Sequence, residues 1–382
     1  MMRSSHVISA LVAILVGFGS SVAVILAAAR AVGATPDQTS SWVAALCLAI
    51  AATTAVLSLR HRMPIVTAWS TPGAALIATT QGVNIEQAVG AFLLAAVLII
   101  ATAAFRPINA LMARIPTAIA AAMLAGVLFG FVLSLFDHLE ASPALVLPLL
   151  AVFVTFRLFS AAWAVLVVLV AGVALSYGLD LTRPIGDLAL SRFIYVHPVF
   201  DPVTLIGLGL PLYIVTMASQ NLPGFAVLKA SDYHPPSRSI LGVTGLASLL
   251  TAPVGAHATN LAAITASLCT GPDVDPDKDR RWLCGPFYAL GYALLAVFGA
   301  SLVTLFASFP EALIATVAGV ALASPFMASL SASVSEERDR FAALTTFAVT
   351  ASGFSAFGLG AAMWGLFAGL LAFGLERLKA QH

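Results

Sequence analysis

Two stretches of this 382-residue chain hold the residue types best suited to chemistry in an apolar setting. In Pro253-Val-Gly-Ala-His-Ala-Thr-Asn-Leu-Ala-Ala-Ile264, His257 is an ionisable side chain inside an otherwise uncharged run. An imidazole changes charge near neutral pH, so His257 can carry a proton or donate to a bound carboxylate. The competing reading is a neutral histidine bonded within a helix bundle. In Pro64-Ile-Val-Thr-Ala-Trp-Ser-Thr-Pro-Gly-Ala-Ala-Leu76, Ser70 or Thr71 can cap a short helix that has Pro72 in its first turn. Thr259 or Asn260 can cap the corresponding helix of the other stretch. Two helix N-termini meeting in a low-dielectric interior form a positively polarised pocket suited to an anion such as a carboxylate. A pair of Pro-kinked helices without a ligand is the plainer alternative.

Further polar groups are sparse. Gln220 and Asn221 place two amides late in an apolar segment, and the matching part of the first segment has Ser20 and Ser21. Such groups need partners inside a bilayer, supplied by a ligand or by a neighbouring helix. Trp69 and Phe18 are candidates for the wall of a pocket. There is no Walker loop, Gly-x-Ser-x-Gly elbow, His-Glu-x-x-His helix or nucleophile beside a base. No catalytic residue, metal ligand or cofactor is therefore expected, and an enzyme is disfavoured. Asp273-Val-Asp-Pro-Asp-Lys-Asp-Arg-Arg281 lacks the glycine and terminal glutamate of a calcium loop and reads as a solvated turn. Cys47, Cys269 and Cys284 have no metal spacing and read as small apolar filler.

The elements that position these residues must be membrane helices. The chain is 60% apolar and 9% charged, against roughly 45–50% and about 25% in soluble domains. Apolar runs recur from Val7 onward and divide at charged or Pro-bounded breaks into fourteen segments: 7–29, 41–59, 64–79, 87–105, 116–136, 143–157, 160–178, 203–228, 239–252, 253–270, 283–308, 310–332, 339–352 and 356–376. The first is too long for a signal h-region of roughly 7–15 residues and is expected to remain as a span. Threading them with both termini cytoplasmic leaves only Arg30, Arg183 and Arg192 of the eighteen Lys and Arg outside, as the positive-inside rule requires. The basic residues are scattered, so no nucleic-acid partner is implied.

The two Pro-led stretches lie just under 200 positions apart. Ile115-Pro116-Thr-Ala-Ile-Ala-Ala-Ala-Met-Leu-Ala-Gly126 similarly matches Phe309-Pro310-Glu-Ala-Leu-Ile-Ala-Thr-Val-Ala-Gly319. Seven spans per half give repeats of opposite orientation, a common transporter plan. The expected organisation is a first repeat over residues 1–178, an external link over 179–201 and a second repeat over 202–382.

Gly17-Phe-Gly-Ser-Ser21, Met63-Pro-Ile-Val-Thr-Ala-Trp-Ser-Thr-Pro-Gly-Ala-Ala75, Asn221-Leu-Pro-Gly-Phe-Ala-Val-Leu228 and Gly255-Ala-His-Ala-Thr-Asn-Leu-Ala-Ala-Ile264 resemble the BenE-type benzoate/proton symporter family over essentially the full length. The resemblance implies an all-α polytopic inner-membrane protein of the nucleobase-transporter-like fold. Spans one to four and eight to eleven would form its core, the rest its gate, with short extended pieces in broken spans three and ten. It implies import of benzoate or a related aromatic carboxylate by proton symport, with substrate held among Ser20, Ser21, Trp69, Ser70, Thr71, Gln220, Asn221, His257, Thr259 and Asn260. His257 would carry the proton, unless water or the substrate does. A homodimer and a monomer are both compatible with the resemblance. Nucleobase carriers of this fold use glutamates where Gln220 and Thr259 stand, which fits a substrate bringing its own negative charge. Transport of another anion or a nucleobase is the alternative.

Overall fold

A computed structural model describes residues 4–105, 116–159, 161–184, 189–357 and 359–379; Arg3, Arg106, Arg114 and Ile115 of the sequence reading lie outside them. Among the described residues, seven helices are long and apolar enough to cross a bilayer: α1 (Ser4–Ala31), α2 (Pro36–His61), α4 (Ile85–Ala104), α5 (Thr117–Ala141), α8 (Pro202–Ala230), α13 (Glu311–Ser333) and the helix opening at Ala361. An eighth crossing arises if Lys278–Val297 and α12 (Gly299–Ala307), bent by 65°, count as one. Shorter apolar helices fill other segments: α6 (Pro143–Arg157), α7 (Ala161–Gly178), α9 (Ser237–Thr251) and α14 (Arg340–Ala351).

The third and tenth apolar segments are each half strand and half helix. Strand β1 (Thr67–Trp69) leads into α3 (Thr71–Ala78), and β2 (Thr259–Leu261) precedes α10 (Ile264–Thr270). At the usual helical rise these two helices are roughly 12 and 10 Å long, well short of a hydrocarbon core of about 30 Å. The first extended lead begins at Pro64; the second follows a 3-10 turn over Ala252–Val254 that contains Pro253 and ends at Gly255 with φ +102°. Proline cannot donate a helical hydrogen bond, and Gly255 occupies a backbone conformation that other residues rarely adopt.

Extended backbone inside a membrane must find partners within the protein. β1 and β2 pair antiparallel in the register Thr67–Leu261, Ala68–Asn260 and Trp69–Thr259. The pairing is continued by Ser70 N–H to Ala258 O and Ala262 N–H to Val66 O, both at 3.1 Å. Side chains satisfy the outer edges of this two-strand ribbon. Thr54 Oγ1 accepts the Thr67 N–H at 3.0 Å, Ser248 Oγ that of Thr259 at 2.8 Å and Asn221 Oδ1 that of Leu261 at 3.0 Å. The Tyr288 hydroxyl donates to Thr67 O at 3.2 Å. Tyr288 belongs to α11 (Cys284–Val297).

Helix α8 contains two π-helical turns, Leu205–Gly209 and Met217–Asn221. Each lies just before a proline, Pro211 or Pro223. A proline ring collides with the carbonyl four residues earlier and leaves it without a donor, and a widened turn relieves both effects. Asp201 caps this helix by accepting from the Thr204 hydroxyl at 2.7 Å and its N–H at 2.8 Å. Those bonds hold its carboxyl below the usual carboxylate range.

Helix α5 packs against α13 and α14, and α14 against α15 (Ala361–Lys379). Residues 189–201 run without helix, tied down by Ser191 N–H to Val297 O, Val196 N–H to Pro253 O and Val199 N–H to Glu86 O. The turn at Asp273–Arg281 departs from the expected solvated loop at Val274 and Asp275, both buried. Asp275 is fully buried, paired with the equally buried His6 at 3.2 Å, while Arg281 Nε donates to its carbonyl at 2.7 Å.

Gly224 of α8 sits where a Cβ would meet Ala262 O and Leu261 Cγ at 2.7 Å. Gly224→Ala is therefore expected to destabilise the protein by about 1–3 kcal/mol through overpacking, read as a lower melting temperature in detergent. Gly242→Ala in α9, where a Cβ meets nothing within 4 Å, should match or exceed the wild type.

Candidate functional site

The ribbon brings the start of α3 and the start of α10 to one place, and a cavity of about 80 Å³ lies there. Helix α1 contributes Gly17, Ser20 and Ser21; Trp69 and Thr71 come from the first broken segment, Ala262, Ala263 and Thr265 from the second. Gln220 of the second π turn, Tyr292 of α11 and Pro325 of α13 complete the wall. A larger and mostly apolar chamber of about 590 Å³ adjoins it, sharing Gln220, Ala263 and Pro325. That volume lies in the usual range for small-molecule sites.

Local chemistry explains each position. Ser70 is the cap of α3: its Oγ accepts the Gly73 N–H at 3.1 Å and the Thr216 hydroxyl at 2.9 Å. Pro72 has no N–H, and the Ser70 N–H is spent on Ala258. Among the described residues, Thr71 N–H is thus the amide of that first turn left for a ligand. The facing helix is capped by neither Thr259 nor Asn260. Both stay in β2 to pair with β1, and α10 starts later, with Ala263 at its N-cap and no side-chain cap.

Trp69 is almost fully buried, its ring centroid 5.5 Å from that of Phe18 and 6.2 Å from that of Tyr292. Its indole N–H donates to Ser21 Oγ at 2.9 Å, and Ser21 in turn donates to Gly17 O at 2.6 Å. Ser21 therefore lines the cavity with its hydroxyl already engaged. Gly17 lets α1 approach α10 and α11, because a Cβ there would lie 3.0 Å from both Thr265 Cγ2 and the Tyr292 hydroxyl.

The structure thus gathers Ser20, Ser21, Trp69, Thr71 and Gln220 at the cavity. Ser70 stands behind the wall as a cap. Asn221 is buried and ties α8 to β2 through Leu261 N–H; its amide nitrogen donates to Thr216 O at 3.4 Å. Thr259 and Asn260 are fully buried in the ribbon. Asn260 Nδ2 donates to Leu261 O at 2.9 Å, while Asn260 Oδ1 and Thr259 Oγ1 have no hydrogen-bond partner among the described residues.

His257 also lies outside the cavity wall. Trp42 Nε1 donates to its Nδ1 at 3.1 Å, and its Nε2 lies 2.9 Å from Ser70 O. An indole N–H can only donate, so Nδ1 is the acceptor and Nε2 carries the proton toward the carbonyl. In this arrangement His257 is a neutral brace between α2 and the cap of α3. A second proton would set N–H against N–H at Trp42.

Thr265, Tyr288 and Tyr292 escaped the sequence reading. Two tyrosines four apart in an apolar helix lie on one face, and buried phenols usually seek partners, so their spacing was the available signal. Among the described residues no group of three or more metal-ligating side chains occurs.

The chain matches the family model described as "Benzoate membrane transport protein" over residues 1–375. It is 38% identical over 378 residues to "Inner membrane protein YdcO" of Escherichia coli, covering 97% of this chain and 95% of that one. Its identity to the "Benzoate membrane transport protein" of Acinetobacter baylyi is 35% over 371 residues, covering 97% and 94%. Among solved structures, the transmembrane domain of the cyanobacterial bicarbonate transporter BicA superposes with TM-score 0.60 at 15% identity, covering 96% of this chain and 97% of that one. The murine anion transporter Slc26a9 in its inward-facing state gives 0.66 at 13%, covering 100% and 69%. These two likenesses show a shared fold.

His257→Gln keeps an acceptor for Trp42 and a donor for Ser70 O, so it is expected to retain the wild-type melting temperature. His257→Leu orphans the Trp42 N–H and should cost about 1–3 kcal/mol, measured by the same thermal assay.

Proposed function

The chain belongs to the benzoate membrane transport family, is a multi-pass inner-membrane transporter rather than an enzyme, and from that premise we propose that it imports benzoate or a related aromatic carboxylate by proton symport. The observation that carries this reading is the pairing of a small cavity holding a few hydroxyl and amide groups at two helix starts with an apolar chamber beside it. The carboxyl group would lie against Thr71 N–H, Ser20, Gln220 and Thr265. The ring would occupy the apolar chamber, near Pro72 and Pro325.

The proposed architecture has fourteen segments in two inverted repeats, residues 1–178 and 202–382, joined by an external link at 179–201, with both termini cytoplasmic. Segments one to four and eight to eleven form a core that carries the ribbon; the others form a gate. The larger chamber is lined near the start of α5 by Thr117 and near the end of α13 by Ala332, the ends assigned to the cytoplasm by the Lys and Arg pattern. In this reading the site faces inward. Movement of core against gate would expose it outward, past a separate polar cavity of about 560 Å³ lined by Thr79, Gln81, Thr204 and Ser355.

Another anion is the second reading, favoured by the fold shared with bicarbonate and anion transporters. A nucleobase has less support. Among the described residues no carboxylate lines the cavity to receive ring N–H groups.

Labelled benzoate should accumulate in proteoliposomes under an inward proton gradient beyond the level of protein-free vesicles, without chemical turnover. Unlabelled benzoate should compete, and uracil and sulfate should not. Gln220→Leu should reduce uptake by roughly tenfold or more, the equivalent of one lost polar contact of about 1.4 kcal/mol. Competition by sulfate or uracil would reassign the substrate.

A further inference from the structure

Proton symport needs a group that binds a proton on one side and releases it on the other. The lining of the small cavity includes Ser20, Ser21, Thr71, Thr265, Gln220 and the rings of Trp69 and Tyr292. Among the described residues it holds no Asp, Glu, Lys, Arg or His. Titratable groups nearby are few. Helix α11 presents Tyr292 with Tyr288 behind it, their rings 4.8 Å apart. Cys284 of α11 faces Cys269 of α10 at 3.2 Å, and Cys47 of α2 is buried. Phenols and thiols ordinarily lose protons only at about pH 10 and 8.5, so they stay protonated through a neutral cycle. His257 behind the cap is committed by Trp42 and Ser70. Helices α1, α3, α8 and α13 bring no ionisable side chain to the wall. The buried His6–Asp275 pair and the exposed Glu311 lie at helix ends, outside it.

In such a site the strongest base present is the substrate. Burying a carboxylate without a cation is unfavourable, and desolvation favours its protonated form. The polar group at the junction of the two chambers is complementary to that form. Gln220 is half-buried, shared by both cavities, and its amide forms no hydrogen bond with the described protein. A primary amide has a donor and an acceptor side by side. A carboxylic acid matches both, its O–H donating to Oε1 while its C=O accepts from Nε2. A carboxylate matches only the nitrogen and opposes its charge to Oε1.

We propose, on the basis of the transport reading above, that the species occluded in this cavity is the uncharged carboxylic acid, paired with the Gln220 amide through two hydrogen bonds, so that the substrate carries the symported proton itself. The anion reaches the chamber from water, takes one proton from solvent at a carboxylate oxygen as it desolvates, and returns it to water on leaving. The protein ends the cycle in the protonation state in which it began. Gln220 is then the residue that separates a protonatable acid from a permanent anion of the same shape.

The test uses purified full-length protein in proteoliposomes and a series of ring-substituted benzoates of graded acid strength. The pH of half-maximal binding should shift with each acid's own strength, and infrared difference spectra of bound benzoate with an isotope-labelled carboxyl should show the carbonyl band of a protonated acid. Benzenesulfonate in large excess should not displace it. A midpoint fixed across the series, ionised carboxylate bands in the bound state or displacement by benzenesulfonate would each overturn the proposal while leaving benzoate transport in place. Absence of benzoate binding altogether would instead remove the transport reading, and this proposal with it. The wild-type measurements decide the matter without a variant; Gln220→Asn, which keeps the amide but shortens its reach, should weaken binding less than Gln220→Leu.

Discussion

A membrane interior offers no water to an unpaired peptide group, and this structure answers that constraint at one point with a two-strand ribbon. The N–H and C=O groups of β1 and β2 are matched across the register Thr67–Leu261 to Trp69–Thr259. What the partner strand cannot reach is met by Thr54, Ser248, Asn221 and Tyr288 from four different helices. An unsatisfied buried polar group costs about 1–3 kcal/mol, so these side chains are fixed by the ribbon as much as they fix it. Everything at the candidate site follows from the crossing, since it ends two helices in the interior and leaves their first turns facing one space.

The resulting site is uncharged, with a few polar groups in a largely apolar wall. Hydroxyls, an amide and the Thr71 backbone N–H can attract a carboxyl group without holding it as a buried ion pair would. Three deeply buried ionisable groups, His257, His6 and Asp275, serve other ends. His257 joins Trp42 to the carbonyl of the cap residue. His6 and Asp275 join the start of α1 to the turn after α10. Both arrangements brace elements that carry the cavity wall, Ser70 and Thr71 in one case, Gly17 to Ser21 and Thr265 in the other.

Much of this was legible in the sequence. Helix cores follow from apolar length, and all fourteen apolar segments contain an observed element, although among the described residues seven helices are individually long enough to span. The residues around Trp69 and Gln220 were recognisable because polar and Pro-Gly motifs are conspicuous in an apolar chain. The cap of α3 was narrowed to Ser70 or Thr71 by residue type alone. The cap of the second half-helix was not legible, since Thr259 and Asn260 are good capping residues whose backbone is claimed by a strand 190 positions away in the chain. That pairing is tertiary, as is the bond from Trp42 to His257. Asp275 read as solvent-facing because its neighbours are charged, and only the fold places His6 against it. The π turns of α8 had a local cause in Pro211 and Pro223, but a proline marks a distortion without specifying its type.

The central claim is that one cavity, between Ser20, Trp69, Thr71 and Gln220, receives the carboxyl group of an aromatic acid. It is tested most directly by a structure of the protein with a ring-brominated benzoate, located by the anomalous signal of the bromine. The account predicts the halogen in the apolar chamber beside Pro72 and Pro325, with the carboxyl density against Gln220 and the start of α3. Bromine in the polar cavity near Thr79 and Ser355, or carboxyl density against a charged side chain, would contradict it.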